Sequence, residues 1–155
     1  MAAAAWAVCA SVAWGGPYED GLAAKAQGDY AHAAQLLRPV AQRGEARAQF
    51  ELSLLYRAGQ GVPADARESL RWLRLAAHGG HAPAQSNLGA VYAQGRGVPQ
   101  DVQLAYVWLS AAATNGSREA ATNLEVVRRR MTPQQIGQAQ ERAQDCVQHQ
   151  FTGCD

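Results

Sequence analysis

Charge and aromatic rings are both scarce in this chain. Only 17% of its 155 residues are charged and 7% are aromatic, and the formal net charge is +1. A balance this even excludes the broad basic face of a general nucleic-acid binder. The one basic cluster, Arg128 to Arg130, reads as a solvated helix end, because three adjacent arginines on a helix point in different directions. β-branched residues are few, and alanine supplies much of the 48% apolar content, which favours helix over sheet. No apolar run is long enough to cross a bilayer as a helix. No Ser-His-Asp or H-E-x-x-H arrangement is visible. The carboxylates Glu45, Glu51, Asp65, Glu68 and Asp101 mostly fall where helices begin, which suits the helix dipole.

Ala2 to Trp14 is an uncharged apolar run followed by small residues. It has the length of the apolar region of a secretory signal, although no Lys or Arg precedes it. The expectation is a leader over 1–16, with the mature chain starting near Trp14 to Pro17. A buried N-terminal helix is the alternative. Removing the leader removes Cys9 and leaves Cys146 and Cys154, eight residues apart. In an oxidising compartment this pair reads as a short disulfide that pins the tail, 151–155. A Cys-Cys-His metal site through His149 is the other reading, and it lacks a fourth ligand.

One glycine-containing motif stands out. "GQGVPAD", Gly59 to Asp65, has the backbone freedom of a phosphate cradle but no following Lys-Ser/Thr. The same heptad returns 36 residues later as "GRGVPQD", Gly95 to Asp101. Sliding the chain by that interval also superposes Gln49 on Gln85, Leu52 on Leu88, Tyr56 on Tyr92, Trp72 on Trp108 and Gly80 on Gly116. An active-site loop normally occurs once, whereas a structural joint recurs with its repeat. Gly59, Gly61, Pro63, Gly95, Gly97 and Pro99 are therefore joints between two helices of one unit. Glycine ends the first helix without steric cost, proline prevents its continuation, and the aspartate caps the second. Asp65 with Glu68 has capping-box spacing.

The spacing predicts eight helices, over 18–27, 29–43, 45–58, 65–79, 81–94, 101–115, 117–130 and 133–149. The fold class is all-α: a solenoid of about three helix-pair units (18–43, 45–80, 81–116) closed by helices within 117–149, the whole domain covering 17–150. Closure is needed because the outer side of the second helix changes between units. In unit two it carries Arg67, Glu68, Arg71 and Arg74; in unit three it carries Gln103, Leu104, Val107 and Ser110. Thr132 followed by Pro133 marks the start of the last helix.

The segments "AQFELSLLYRAGQGVPADARESLRWLRLAAHGG" and "AQSNLGAVYAQGRGVPQDVQLAYVWLSAAATNG" resemble Sel1-like repeats, α/α units related to tetratricopeptide repeats. The resemblance covers roughly Pro17 to Cys146 and points to exported bacterial members, hence a periplasmic or secreted protein. The chain departs from the family at Ser53, usually glycine, and at Phe50 and Ser86, usually tyrosine. The resemblance implies a non-catalytic scaffold that binds a protein or peptide along a groove lined by the first helices of the units. On those helices the candidate groove residues are Phe50, Glu51, Leu54, Ser86, Asn87, Ala90 and Asn123. No catalytic residue, metal or cofactor is expected. The resemblance also leaves an alternative, since some Sel1-type proteins are associated with β-lactams: an envelope enzyme acting on a β-lactam or on peptidoglycan. His78 and His81 would be its acid–base candidates, but their position beside Gly79-Gly80 places them in an exposed turn between units.

Overall fold

The computed structural model of the chain describes residues 15–155, so nearly all of the expected leader lies outside the described residues. Among the described residues there are eight helices and no strand: α1 (Pro17–Ala26), α2 (Tyr30–Gln42), α3 (Ala46–Ala58), α4 (Ala66–His78), α5 (Ala82–Gln94), α6 (Val102–Thr114), α7 (Arg118–Arg128) and α8 (Pro133–Gln148). Every helix predicted from spacing is present, with ends displaced by at most two residues. From α1 to α7 each helix packs on the next to form the solenoid, and α8 returns to cover α6.

The joints follow from residue chemistry. Gly59 and Gly95 are left-handed, with φ of 65° and 67°, and each closes its helix at the C-terminus. Asp65 then accepts hydrogen bonds from the backbone N–H groups of Arg67 and Glu68, and Asp101 accepts one from Leu104. The reciprocal half of a capping box is absent at Asp65. The Asp65 N–H donates to the Tyr56 carbonyl, and the Glu68 carboxylate takes the Arg71 guanidinium instead. A complete capping box stands at Thr132 and Gln135, just ahead of α8.

Units are fastened to one another by bonds that repeat with the sequence. Gln49 Nε2 donates to the Ala41 carbonyl at 3.0 Å, and Gln85 Nε2 donates to the Ala77 carbonyl at 3.0 Å. Both acceptors lie in the last turn of the preceding unit's second helix, where carbonyls have no intrahelical partner. Likewise Arg38 donates to the Tyr56 hydroxyl and Arg74 to the Tyr92 hydroxyl. Within units, small residues bring the helices close. A Cβ on Gly89 would come within 2.7 Å of Leu109 Cγ, and Ser69 Oγ donates to the Ser53 carbonyl across the α3–α4 contact.

The core forms two clusters. One, around Leu37, Leu52, Leu55 and Trp72, joins units one and two; the other, around Leu88, Trp108, Leu109 and Val107, runs into the closing helices. Leu104 and Val107, on the outer side that is polar one unit earlier, are buried. The apolar change on α6 is thus accounted for by the helices that cover it, α7 and α8.

The C-terminal tail folds back onto the array. Cys146 and Cys154 form a disulfide, and both are almost fully buried. The bridge carries Phe151 and Asp155 to the end of α4. There His78 Nδ1 donates to the Phe151 carbonyl at 2.6 Å, and His78 Nε2 meets Asp155 Oδ2 at 3.0 Å. Trp108 Nε1 donates to Asp155 Oδ1 at 3.2 Å, and its indole meets the His78 ring edge-on. The turn at His78 is therefore not the exposed one expected from its flanking glycines, because the tail covers it. With a carbonyl on one ring nitrogen and a carboxylate on the other, both must donate, so the contacts call for an imidazolium.

Candidate binding site

A cavity of about 290 Å³ lies at the seam between units two and three. α3 contributes Ser53, Leu54 and Arg57; α4 contributes Ala66, Ser69, Leu70 and Leu73; α5 contributes Asn87, Ala90 and Val91; and the joint after α5 contributes Arg96 and Gly97. The lining is mainly aliphatic. Its charged groups are the two exposed arginines, one from each unit.

The cavity exists because two equivalent seams are packed differently. Between units one and two, Gly61 sits against the start of α2, and a Cβ there would lie 2.1 Å from the Tyr30 carbonyl oxygen. One repeat further, Gly97 stands opposite the start of α4 with nothing within 4 Å of a Cβ position. The space closed by Tyr30 at the first seam is left open beside Ala66 at the second.

Three of the seven candidate groove residues, Leu54, Asn87 and Ala90, are brought together in this cavity. The other four are not among its lining. Phe50 packs its ring on His81, with centroids 5.0 Å apart. Glu51 forms a half-buried ion pair with Lys25 of α1. Asn123 lies further along, on α7. Ser86, expected on the groove face, is buried, because α5 has α4 on one side and α6 and α7 on the other. Arg57, Leu70, Val91 and Arg96 were missed by a search confined to one face of the first helices. A signal for the arginines was present in the repeat. Arg57 aligns with Ala93 and Arg96 with Gln60, so neither is required by the unit's own packing.

The histidines proposed for an enzyme are engaged elsewhere. The hydrogen bond to Asp155 raises the pKa of His78, against the opposing effect of burial. Burial lowers that of His81, which lies under Phe50. Neither lines the cavity. Among the described residues, no group of three or more His, Cys, Asp and Glu side chains could hold a metal ion, and no helix is long and apolar enough to cross a membrane.

Paired helices repeating through glycine joints, sealed by a covering helix, define the class: an α/α repeat solenoid. Within it, the Sel1 repeat model matches residues 46–81 and 82–117. The structure is similar to that of a Sel1 repeat protein from Oxalobacter formigenes, at 32% identity and a TM-score of 0.56, covering 68% of this chain and 95% of that one. It is also similar to a protective antigen of uropathogenic Escherichia coli that displays an SLR fold, at 27% identity and a TM-score of 0.80. That match covers 89% of this chain but only 30% of the antigen. No curated protein matches the sequence. The chain belongs to the Sel1-like repeat family, whose scaffold fold generally mediates protein–protein interaction and is typically non-catalytic.

Proposed function

We propose that this protein is a binding scaffold of the cell envelope that holds an extended polypeptide segment across the seam of units two and three, without turnover. One observation carries the reading. Leu54, Asn87 and Ala90 from successive first helices converge with Leu70 and Val91 on one open aliphatic cavity, at a seam whose equivalent one unit earlier is closed by Tyr30. Apolar walls with a few polar groups are the usual make-up of a recognition pocket. Asn87 supplies an amide able to bond a peptide backbone, as extended segments require. The envelope location is supported by the Cys146–Cys154 disulfide, a bond that persists in oxidising compartments.

The test is site-specific photo-cross-linking. A photoreactive residue at Leu54 or Ala90 should capture one protein from an envelope extract, and the mapped segment should touch both units. The same probe at Arg142, on the exposed side of α8, should not capture it. Equal capture from both positions, or sustained hydrolysis of a β-lactam or muropeptide by the pure protein, would refute the proposal.

A further inference from the structure

We infer that the segment held at this seam is acidic: an aliphatic side chain enters the cavity, and a neighbouring Asp or Glu side chain lies between Arg57 and Arg96. The inference rests on the binding reading above and adds the chemistry of the partner. It starts from the two arginines. Arg57, in the last turn of α3, and Arg96, in the joint after α5, approach the cavity from different units. Neither forms an ion pair or a side-chain hydrogen bond among the described residues. Several arginines elsewhere on the array are committed, whereas Arg43, Arg67, Arg118 and Arg142 are free among the described residues but line no aliphatic cavity with a second free arginine. Arg38 and Arg74 bond tyrosines, Arg47 and Arg71 hold glutamates, and Arg130 caps the Ala93 carbonyl.

The unit's own packing does not require the free pair, since Ala93 stands at the position of Arg57 one unit on and Gln60 at that of Arg96 one unit earlier. The helix dipole gives Arg57 a local reason to sit near the end of α3. Arg96 follows the αL residue Gly95, outside any helix, and has no such reason. Two planar cations at the rim of an aliphatic cavity are complementary to one arrangement on a partner, a carboxylate beside an apolar side chain. The volume, about 290 Å³, sits at the lower limit of the roughly 300–1,000 Å³ of clefts that enclose a whole drug-sized ligand. One side chain of leucine size therefore fits better than a complete cofactor. Ser69 Oγ is already bonded to the Ser53 carbonyl, which leaves Asn87 as the amide available to the segment's backbone.

The experiment uses the full chain and three short synthetic peptides with blocked ends, each carrying a central leucine flanked by glutamates, glutamines or lysines. Binding is read by fluorescence anisotropy, and contacts by amide shift changes in α3 to α5. The glutamate peptide should bind about tenfold or more tighter than the glutamine peptide, the effect of roughly one charge-assisted hydrogen bond. Added salt should erode that preference. Replacing its leucine by alanine should abolish binding. Arg57→Glu with Arg96→Glu should make the lysine peptide the tightest. Both arginines are exposed, so this variant should keep the parent helical spectrum, and Arg57→Gln with Arg96→Gln serves as a milder check that should remove the charge preference.

Equal binding of all three peptides in the cavity would overturn the acidic assignment and leave the scaffold reading standing. Shift changes outside α3 to α5, or no binding by any peptide, would overturn both. Octanoate binding as tightly as the glutamate peptide would also overturn the inference, by making the site one for a small amphiphile.

Discussion

Gly61 and Gly97 offer a controlled comparison, because they occupy the same position in successive units and share the left-handed conformation, with φ of 70° and 74°. Alanine at Gly97 meets nothing within 4 Å. Its cost is then the left-handed backbone alone, about 1–2 kcal/mol. Part of this is offset by the roughly 0.4–1 kcal/mol that alanine contributes by narrowing the unfolded ensemble. The expected net loss is about 1 kcal/mol. Alanine at Gly61 bears the same terms and also places Cβ 2.1 Å from the Tyr30 carbonyl oxygen and 2.5 Å from the Ala31 nitrogen. These are backbone atoms at the start of a helix, and no rotamer change relieves them. Overpacking of this kind costs about 1–3 kcal/mol and sometimes more. Gly61→Ala should therefore lose about 2–4 kcal/mol in urea denaturation followed by circular dichroism. The two variants should be compared by midpoint at a common m-value, which avoids the extrapolation error. Losses within about 0.5 kcal/mol of each other, the usual range for a surface change, would refute the claim that the first seam is closed by backbone contact and the second open.

Two further outcomes concern the tail. Cys154→Ser should destabilise the chain by about 2–3 kcal/mol, the chain-entropy value for so short a loop, with hydrogen exchange rising first in residues 149–155 and the end of α8. The tail should also be pH-dependent. The hydrogen bond between them raises the pKa of His78 and lowers that of Asp155. The histidine contribution is complete below its unfolded value near 6.5 and is lost as pH rises through the higher folded value. The aspartate contribution is present above its ordinary value near 3.8 and is lost as pH falls through the lower folded one. Docking should thus be firmest between pH 4 and 6.5, read from the Trp108 indole N–H resonance, and His78→Gln should remove the alkaline limb of that profile.

The array was legible because its packing residues recur. Gly59 with Gly95, Asp65 with Asp101 and Gln49 with Gln85 state the same joint, cap and fastening twice, and α6 announced its cover through Leu104 and Val107. The binding seam was only half legible. A helical face predicts which residues point together, and so it found Leu54, Asn87 and Ala90. It does not predict how many neighbours a helix has, and so it left Ser86 exposed when α5 is flanked on two sides. The tail's disulfide was legible from Cys146 and Cys154, but its docking on α4 was not, for a different reason. His78 and Asp155 are 77 positions apart and belong to no repeat, so no periodicity links them.

The docked tail also counts. It spans from α8 across Trp108 of unit three to His78 of unit two, so it senses which unit precedes the last. Copying residues 46–81 in place would lengthen the array and still set a His78 beside the final Trp108. Copying residues 82–117 would instead bring Thr114, the repeat equivalent of His78, to that place, and the carboxylate would face a hydroxyl. Growth of this solenoid by duplication is therefore asymmetric: one unit can be multiplied with the closing lock intact, and the other cannot.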